Sequence, residues 1–235
     1  MQLVREFYNQ NYMNFVLSMI YNENTLNLFS DASMRNTTRK DILSSCYGSV
    51  AVSKDTIINE LFRLNTNTTV PAAEIRGLRC SLSLALQYRN MFKNINIFSD
   101  SQISVFCIRD YIWNWKLTGN YVFVNRSGEE AKNQELYIEC LEMLLDLSRT
   151  NTVNIFHQAG HVENGLSNLK NAINVFKSSN NIPGKIDYNL IRYISTYNNY
   201  VDEKSRSILR RTNIYDNTYS DPVHFVYNKN MLNIK

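Results

Sequence analysis

Apolar and polar residues alternate, cluster and recur along this chain in ways that predict most of its elements. Residues 3–21 carry apolar groups at Leu3, Phe7, Met13, Val16, Leu17 and Ile20, the spacing of one amphipathic helix or two short ones. A strand is expected over 25–31, a polar turn over Asn36–Asp41, a second strand over Ser45–Ser53 with Gly48 inside it, and a third over 56–65. Their closeness in sequence predicts antiparallel hairpins. Ala72 to Met91 then reads as a helix whose stripe begins at Glu74 and continues through Leu78, Leu82, Leu86 and Met91. Strand four is Ile95–Ser99, and Ile103–Lys116 is a helix holding Trp113 and Trp115. Two tryptophans two apart cannot share a helix face, so one is expected buried and one exposed. A further helix lies within Gly128–Ser148, with Leu136, Cys140, Leu141, Leu144 and Leu145 inward. Val153–His157 is strand five, and Gly165–Lys177 is a helix with Leu166, Leu169, Ile173 and Phe176 inward.

The order β-β-β-α-β-α-α-β-α describes an α/β fold with a mixed five-stranded sheet flanked by helices. It divides the chain into an N-terminal helical extension (1–24), a main domain (25–180) and a C-terminal extension packing on the core (181–235). In that extension Ile186–Tyr197 and Val201–Arg211 predict two helices, the second with Lys204, Arg206, Arg210 and Arg211 largely on its outer side.

Composition changes this picture little. At 235 residues and 44% apolar the chain can bury one sizeable core. The net charge of +4 is uneven: residues 183–235 hold eight Lys and Arg against five acids, while 1–182 hold seventeen against sixteen. That bias is compatible with nucleic acid. The four cysteines form no CxxC pair, which argues against a zinc site and for reduced, buried thiols in an intracellular protein. No apolar run is long enough for a membrane span, and the N-terminus lacks the apolar block of a signal peptide.

The candidate chemistry lies at element ends. Asp31 closes strand one, Glu74 heads a core-facing helix and Asp100 sits at the tip of strand four. Strand tips are where α/β proteins place ligand chemistry, and three acids from three segments suit a hard cation.

Asp31 after a strand, Ala73-Glu74-Ile75 opening a helix, Phe98-Ser99-Asp100-Ser101 ending a strand and His157-Gln158-Ala159-Gly160-His161 after the last strand together resemble a type 1 ribonuclease H. Trp115-Lys116 and Asn133-Gln134-Glu135-Leu136 add softer matches, and the resemblance spans roughly 25–177. It implies the ribonuclease H-like fold and a metal-dependent endonuclease cutting the RNA strand of RNA/DNA hybrids; no membrane partner is expected, and of the open oligomeric states a monomer is favoured. Two Mg²⁺ ions, replaceable by Mn²⁺, would be bridged by Asp31 and completed by Glu74 and Asp100, while His161 would assist water activation or product release. For the hybrid, the matching positions are Asn36, Thr69, Trp115 and Asn133, with Arg35 and Lys116 as phosphate candidates; for the tryptophans core packing is the competing reading.

The sequence departs from the family where a fourth carboxylate is expected, in the helix after His161. Asn171 stands there, with Asn168 and Asn174 at similar helical positions, and no acid occurs between Glu163 and Asp187. An asparagine offers a neutral oxygen without the charge that holds a divalent ion. A three-acid enzyme aided by Glu163 or by a tail acid such as Asp202 or Glu203, an introduced substitution, and a non-cleaving relative all fit this pattern. The alternatives to hybrid cleavage are therefore a nuclease of the same fold on another nucleic acid and a binding module without turnover.

Overall fold

The computed structural model describes residues 22–35, 43–66, 68–118, 123–162, 165–182, 185–212 and 225–227. The amphipathic stretch 3–21, the turn residue Asn36 and Glu163 lie outside these described residues.

The three opening strands are β1 (Thr25–Met34), β2 (Leu43–Ser53) and β3 (Thr56–Thr66), joined antiparallel as their spacing predicts. Helix α1 (Val70–Tyr88) follows, capped by the Thr69 side chain, which accepts from the Ala72 amide, with Pro71 in its first turn. Strand β4 (Asn94–Ser99) then pairs parallel with β1. The predicted helix over 103–116 is broken. Helix α2 (Gln102–Phe106) passes into a π turn at Cys107–Tyr111 and a 3₁₀ turn at Ile112–Asn114. Trp115 is extended and leads into β5 (Lys116–Leu117), which pairs with β6 (Phe123–Val124). A π turn inserts a residue, and here it carries Arg109 inward, where its guanidinium donates to Asn180 Oδ1 and the Ser179 carbonyl. Trp113 and Trp115 both pack half-buried against the core, so the expected split into one buried and one exposed ring is not seen.

Helix α3 (Gln134–Leu147), strand β7 (Thr152–His157) and helix α4 (Leu166–Asn180) complete the predicted order. The two expected tail helices are one, α5 (Tyr188–Arg211), capped by Asp187, with no breaker where the split was placed. A three-residue strand, β8 (Phe225–Tyr227), adds to β3, giving the order β7-β4-β1-β2-β3-β8. Met91, beyond the end of α1, and Leu166, at the first position of α4, are exposed rather than inward.

Alternation along the central strands sends their side chains into two cores. Leu26 and Leu28 of β1, Ile95 and Ile97 of β4, and Val153 and Ile155 of β7 pack with Ile75, Leu78 and Leu82 of α1 and Cys140 and Leu144 of α3. On the opposite face Phe29, Phe98 and Phe156 pack with Phe176 of α4 and Tyr193, Ile194 and Val201 of α5. These phenylalanines occupy one register row and stack with centroids 4.9 and 5.2 Å apart. Two residues back along each strand lies a row of buried asparagines. Asn154 donates to Asn96 at 3.3 Å, Asn96 to Asn27 at 3.0 Å, and Asn27 to the Tyr193 hydroxyl of α5 at 3.1 Å. The four cysteines are buried and free.

Candidate active site

Register sets up the site before any side chain does. Ser30, Ser99 and His157 form one row across β1, β4 and β7, so Asp31 and Asp100 emerge side by side at the carboxyl end of the parallel strands. Asp31 remains within β1, which runs three residues past the predicted end. Its carboxylate accepts from the Ala32 amide at 2.7 Å.

Glu74 is delivered by α1, and Gly77 is what allows the approach. A Cβ at Gly77 would lie 3.1 Å from the Asp31 carbonyl oxygen, tighter than ordinary contact. The helix therefore crosses β1 at Asp31 and places Glu74, nearly one turn earlier, over the strand tip. Asp100 is held from three sides. The Asn198 amide donates to its Oδ2 at 3.3 Å, and His157 Nε2 lies 3.2 Å from its backbone carbonyl. The third side is Gly160, where a Cβ would lie 2.4 Å from Oδ2. With Nε2 donating, His157 Nδ1 is left to accept from Ser179 Oγ at 2.9 Å, and burial holds the imidazole below its ordinary pKa.

The outcome is a compact acid cluster: Asp31, Glu74 and Asp100 each offer an oxygen, all within 4.8 Å of one another. Burial, reinforced by the charges of Asp100 and Glu74, pushes Asp31 up to about 8, against the pull of the Ala32 amide and the Arg206 charge. Burial, with the charge of Asp100, likewise pushes Glu74 up to about 8. Asp100 is raised too, by burial opposed chiefly by the Asn198 hydrogen bond. Glu74 Oε2 is buried with no hydrogen-bond partner. Three carboxylates, mutually repelling and one of them orphaned, are a donor set that a hard divalent cation satisfies.

The remaining predicted residues divide. His161, in a left-handed conformation (φ 50°) and largely exposed, comes to the site's edge, its Nδ1 3.3 Å from Asp202 Oδ2. Asn171 is exposed on α4, as are Asn168 and Asn174. Among the described residues the asparagine that reaches the acids is Asn198 of α5, and Asp202, four residues further along the same helix, is buried. Thr69 and Asn133 line a cleft of about 700 Å³ with Arg76. Trp115 and Asn133 line a second, of about 600 Å³, with Pro71 and Tyr137, and Lys116 is exposed beside it. Arg35 donates to the Leu209 carbonyl of α5 and is only partly free to meet a phosphate. Arg206 does not simply face outward as the sequence suggests, since it folds back onto Asp202. Gly77, Gly160, Asn198 and Arg206 are the site residues that sequence reasoning missed. An internal helix glycine, a glycine before a histidine, and a spacing of four from Asn198 through Asp202 to Arg206 were the available signals.

Comparison with curated protein sequences returned no match. Among solved structures, the N-terminal RNase H domain of Rv2228c from Mycobacterium tuberculosis is 16% identical, with a TM-score of 0.41, and the alignment covers 67% of this chain and 94% of that one. RNase H1 from Halobacterium salinarum is 17% identical, with a TM-score of 0.39 and coverages of 66% and 96%. The RNase H domain of prototype foamy virus is 16% identical, with a TM-score of 0.45 and coverages of 68% and 94%. The family described as RNase H matches residues 23–172, a span that begins just before β1, takes in Asp31, Glu74, Asp100 and His161, and ends within α4. With the acids of that span gathered at one strand edge, the chain belongs to the RNase H family.

Proposed function

We propose that this protein is a divalent-metal-dependent endonuclease that hydrolyses the RNA strand of RNA/DNA hybrids. The observation that carries the reading is the buried Asp31–Glu74–Asp100 cluster, whose oxygens lie within 4.8 Å and whose carboxyls are all raised in pKa. Such a cluster is costly in an empty pocket and favourable around cations. Asp31, Glu74 and Asp100 would hold the ions, two Mg²⁺ or Mn²⁺, between them. Bound there, the ions would supply an activated water and neutralise charge on the leaving oxygen.

The chain's own groups supply the rest. Gly77 and Gly160 let α1 and the loop after β7 press against Asp31 and Asp100, which fixes the carboxylate spacing. His161, exposed at the rim, relays protons or helps product leave. The substrate class rests on the family and on the two clefts beside the cluster. Thr69, Asn133 and Arg76 present hydroxyl, amide and guanidinium donors to phosphates of one strand, and Trp115 offers an aromatic surface to its sugars. Lys116 adds charge at the same edge.

Cleavage of an end-labelled RNA/DNA hybrid, resolved on a gel in Mg²⁺ and in Mn²⁺, tests this with Asp31→Asn as control. Cutting of the RNA strand by the parent and not by the variant supports the reading. A parent that binds the hybrid but leaves it intact in both metals would mark a binding module instead, and preferential cutting of another nucleic acid would replace the substrate.

A further inference from the structure

Helix α5 lies wholly beyond the family match, yet it forms one wall of the acid site. Asn198, Asp202 and Arg206 recur at a spacing of four and so share one face of the helix. Asn198 donates to Asp100, while Asp202 is contacted by His161 Nδ1 at 3.3 Å and by Arg206 through Nε at 2.8 Å and through Nη2. Asp202 is 6% exposed, but the Arg206 side chain is 44% exposed and the His161 side chain 73% exposed. A buried carboxylate thus holds an arginine and a histidine whose outer edges face solvent beside the cluster. Its own position is fixed, because Ser205 Oγ donates to the Asp202 carbonyl and lies 2.8 Å from Ser33 Oγ of β1. Arg206 also opens onto a concavity of about 310 Å³ shared with Glu203, Ser207, Arg210 and Arg211.

The Arg206 guanidinium balances the buried Asp202 carboxylate and still turns part of its edge to solvent. Its planar fork suits a phosphate, since two donors can bind Asp202 while the others remain available. Its charge already acts on the cluster, opposing the upward push on the Asp31 carboxyl.

We propose that Arg206 binds a phosphate of the strand being cleaved, next to the acid cluster, and that Asp202 is the positioning residue that aims both Arg206 and His161. This rests on the nuclease reading above for its substrate class, but its test can be separated from that reading.

Steady-state cleavage of the hybrid is measured for Arg206→Gln, Arg206→Lys, Asp202→Asn and the Arg206→Gln/Asp202→Asn double variant, with thermal unfolding alongside. Arg206→Gln is expected to lower kcat/KM roughly tenfold to a hundredfold when assayed well below its own Tm, and Arg206→Lys to recover part of it. Asp202→Asn is expected to lose a comparable factor, and the double variant no more than the larger single loss, because the two act as a unit. Parent-like cleavage by Arg206→Gln, or losses that multiply in the double variant, would overturn the proposal. If the parent proves inert on the hybrid, the nuclease reading fails and binding of uncut hybrid in Ca²⁺ decides this one. Arg206→Gln should then reduce the slope of log affinity against log salt by about one. An unchanged slope would overturn the proposal.

Discussion

Asp31→Asn should abolish cleavage and at the same time make the metal-free protein more stable. The folded protein holds the Asp31 carboxyl at about 8, against an ordinary value of 3.8, chiefly because it is buried among Asp100 and Glu74. Between those values the folded state keeps a proton that the unfolded chain has released. The resulting penalty is absent below about pH 4, grows as pH rises and is complete above about pH 8. Each pH unit across the window costs about 1.4 kcal/mol, so at about pH 7.5 the ceiling is about 5 kcal/mol. Solvent reaching the open side of the site, with an effective dielectric nearer about 20 than about 4, brings the expected gain to roughly 2–3 kcal/mol. Asparagine is neutral and can keep the Ala32 hydrogen bond, so it escapes the penalty. At about 2–4 °C per kcal/mol, Tm in EDTA should rise by roughly 4–12 °C at about pH 7.5 and by much less at about pH 5. A variant no more stable than the parent at the higher pH, or a gain equal at both pH values, would refute the account of the cluster as a strained, cation-seeking site.

Three further outcomes follow from the same geometry. Mg²⁺ or Ca²⁺ should raise the parent's Tm at about pH 8, by an amount equivalent to about 2.7 kcal/mol at a hundredfold excess over Kd, and the rise should fade toward about pH 5 as the raised carboxyls of Asp31 and Glu74 take up protons. Thermal scans across pH and metal concentration check both features. Gly160→Ala places a Cβ 2.4 Å from Asp100 Oδ2 and should cost roughly a hundredfold in kcat by displacing that carboxylate, with Tm within a few degrees of the parent. Asn96→Ala removes the middle of the buried asparagine row and strands both neighbours, so denaturant unfolding should show a loss of roughly 2–4 kcal/mol without change in the active-site metal response.

The parts of this fold that were legible in sequence are those with a local cause. Alternation in β1, β4 and β7 and the four-residue spacing of Leu78 and Leu82 are properties of single elements, and they placed the sheet, its helices and all three acids. Residues 103–116 misled because their helical pattern is real to Phe106, after which the need to bury the Arg109 guanidinium against Asn180 introduces a π turn. That partner lies seventy-one residues away, where no window of periodicity reaches. Asn171 stands at the family's spacing from His161 and is exposed on α4, but spacing does not reveal that a later helix, α5, brings Asn198 to Asp100 and Asp202 to His161. Asp202 was visible as a tail acid and Arg206 as a tail cation. Only the packing of α5 across β1 and β2 makes them neighbours of the site.

That packing also bears on modularity. A fragment trimmed to the boundaries of the family match would keep every acid of the cluster and lose α5, leaving the stacked rings of Phe29, Phe98 and Phe156 without the Tyr193, Ile194 and Val201 that cover them. It would also open the end of the asparagine row, since Asn27 would lose the Tyr193 hydroxyl. Homology and packing therefore draw different borders here: the core extends to Leu209 of α5, and the helix beyond the family match is part of that core.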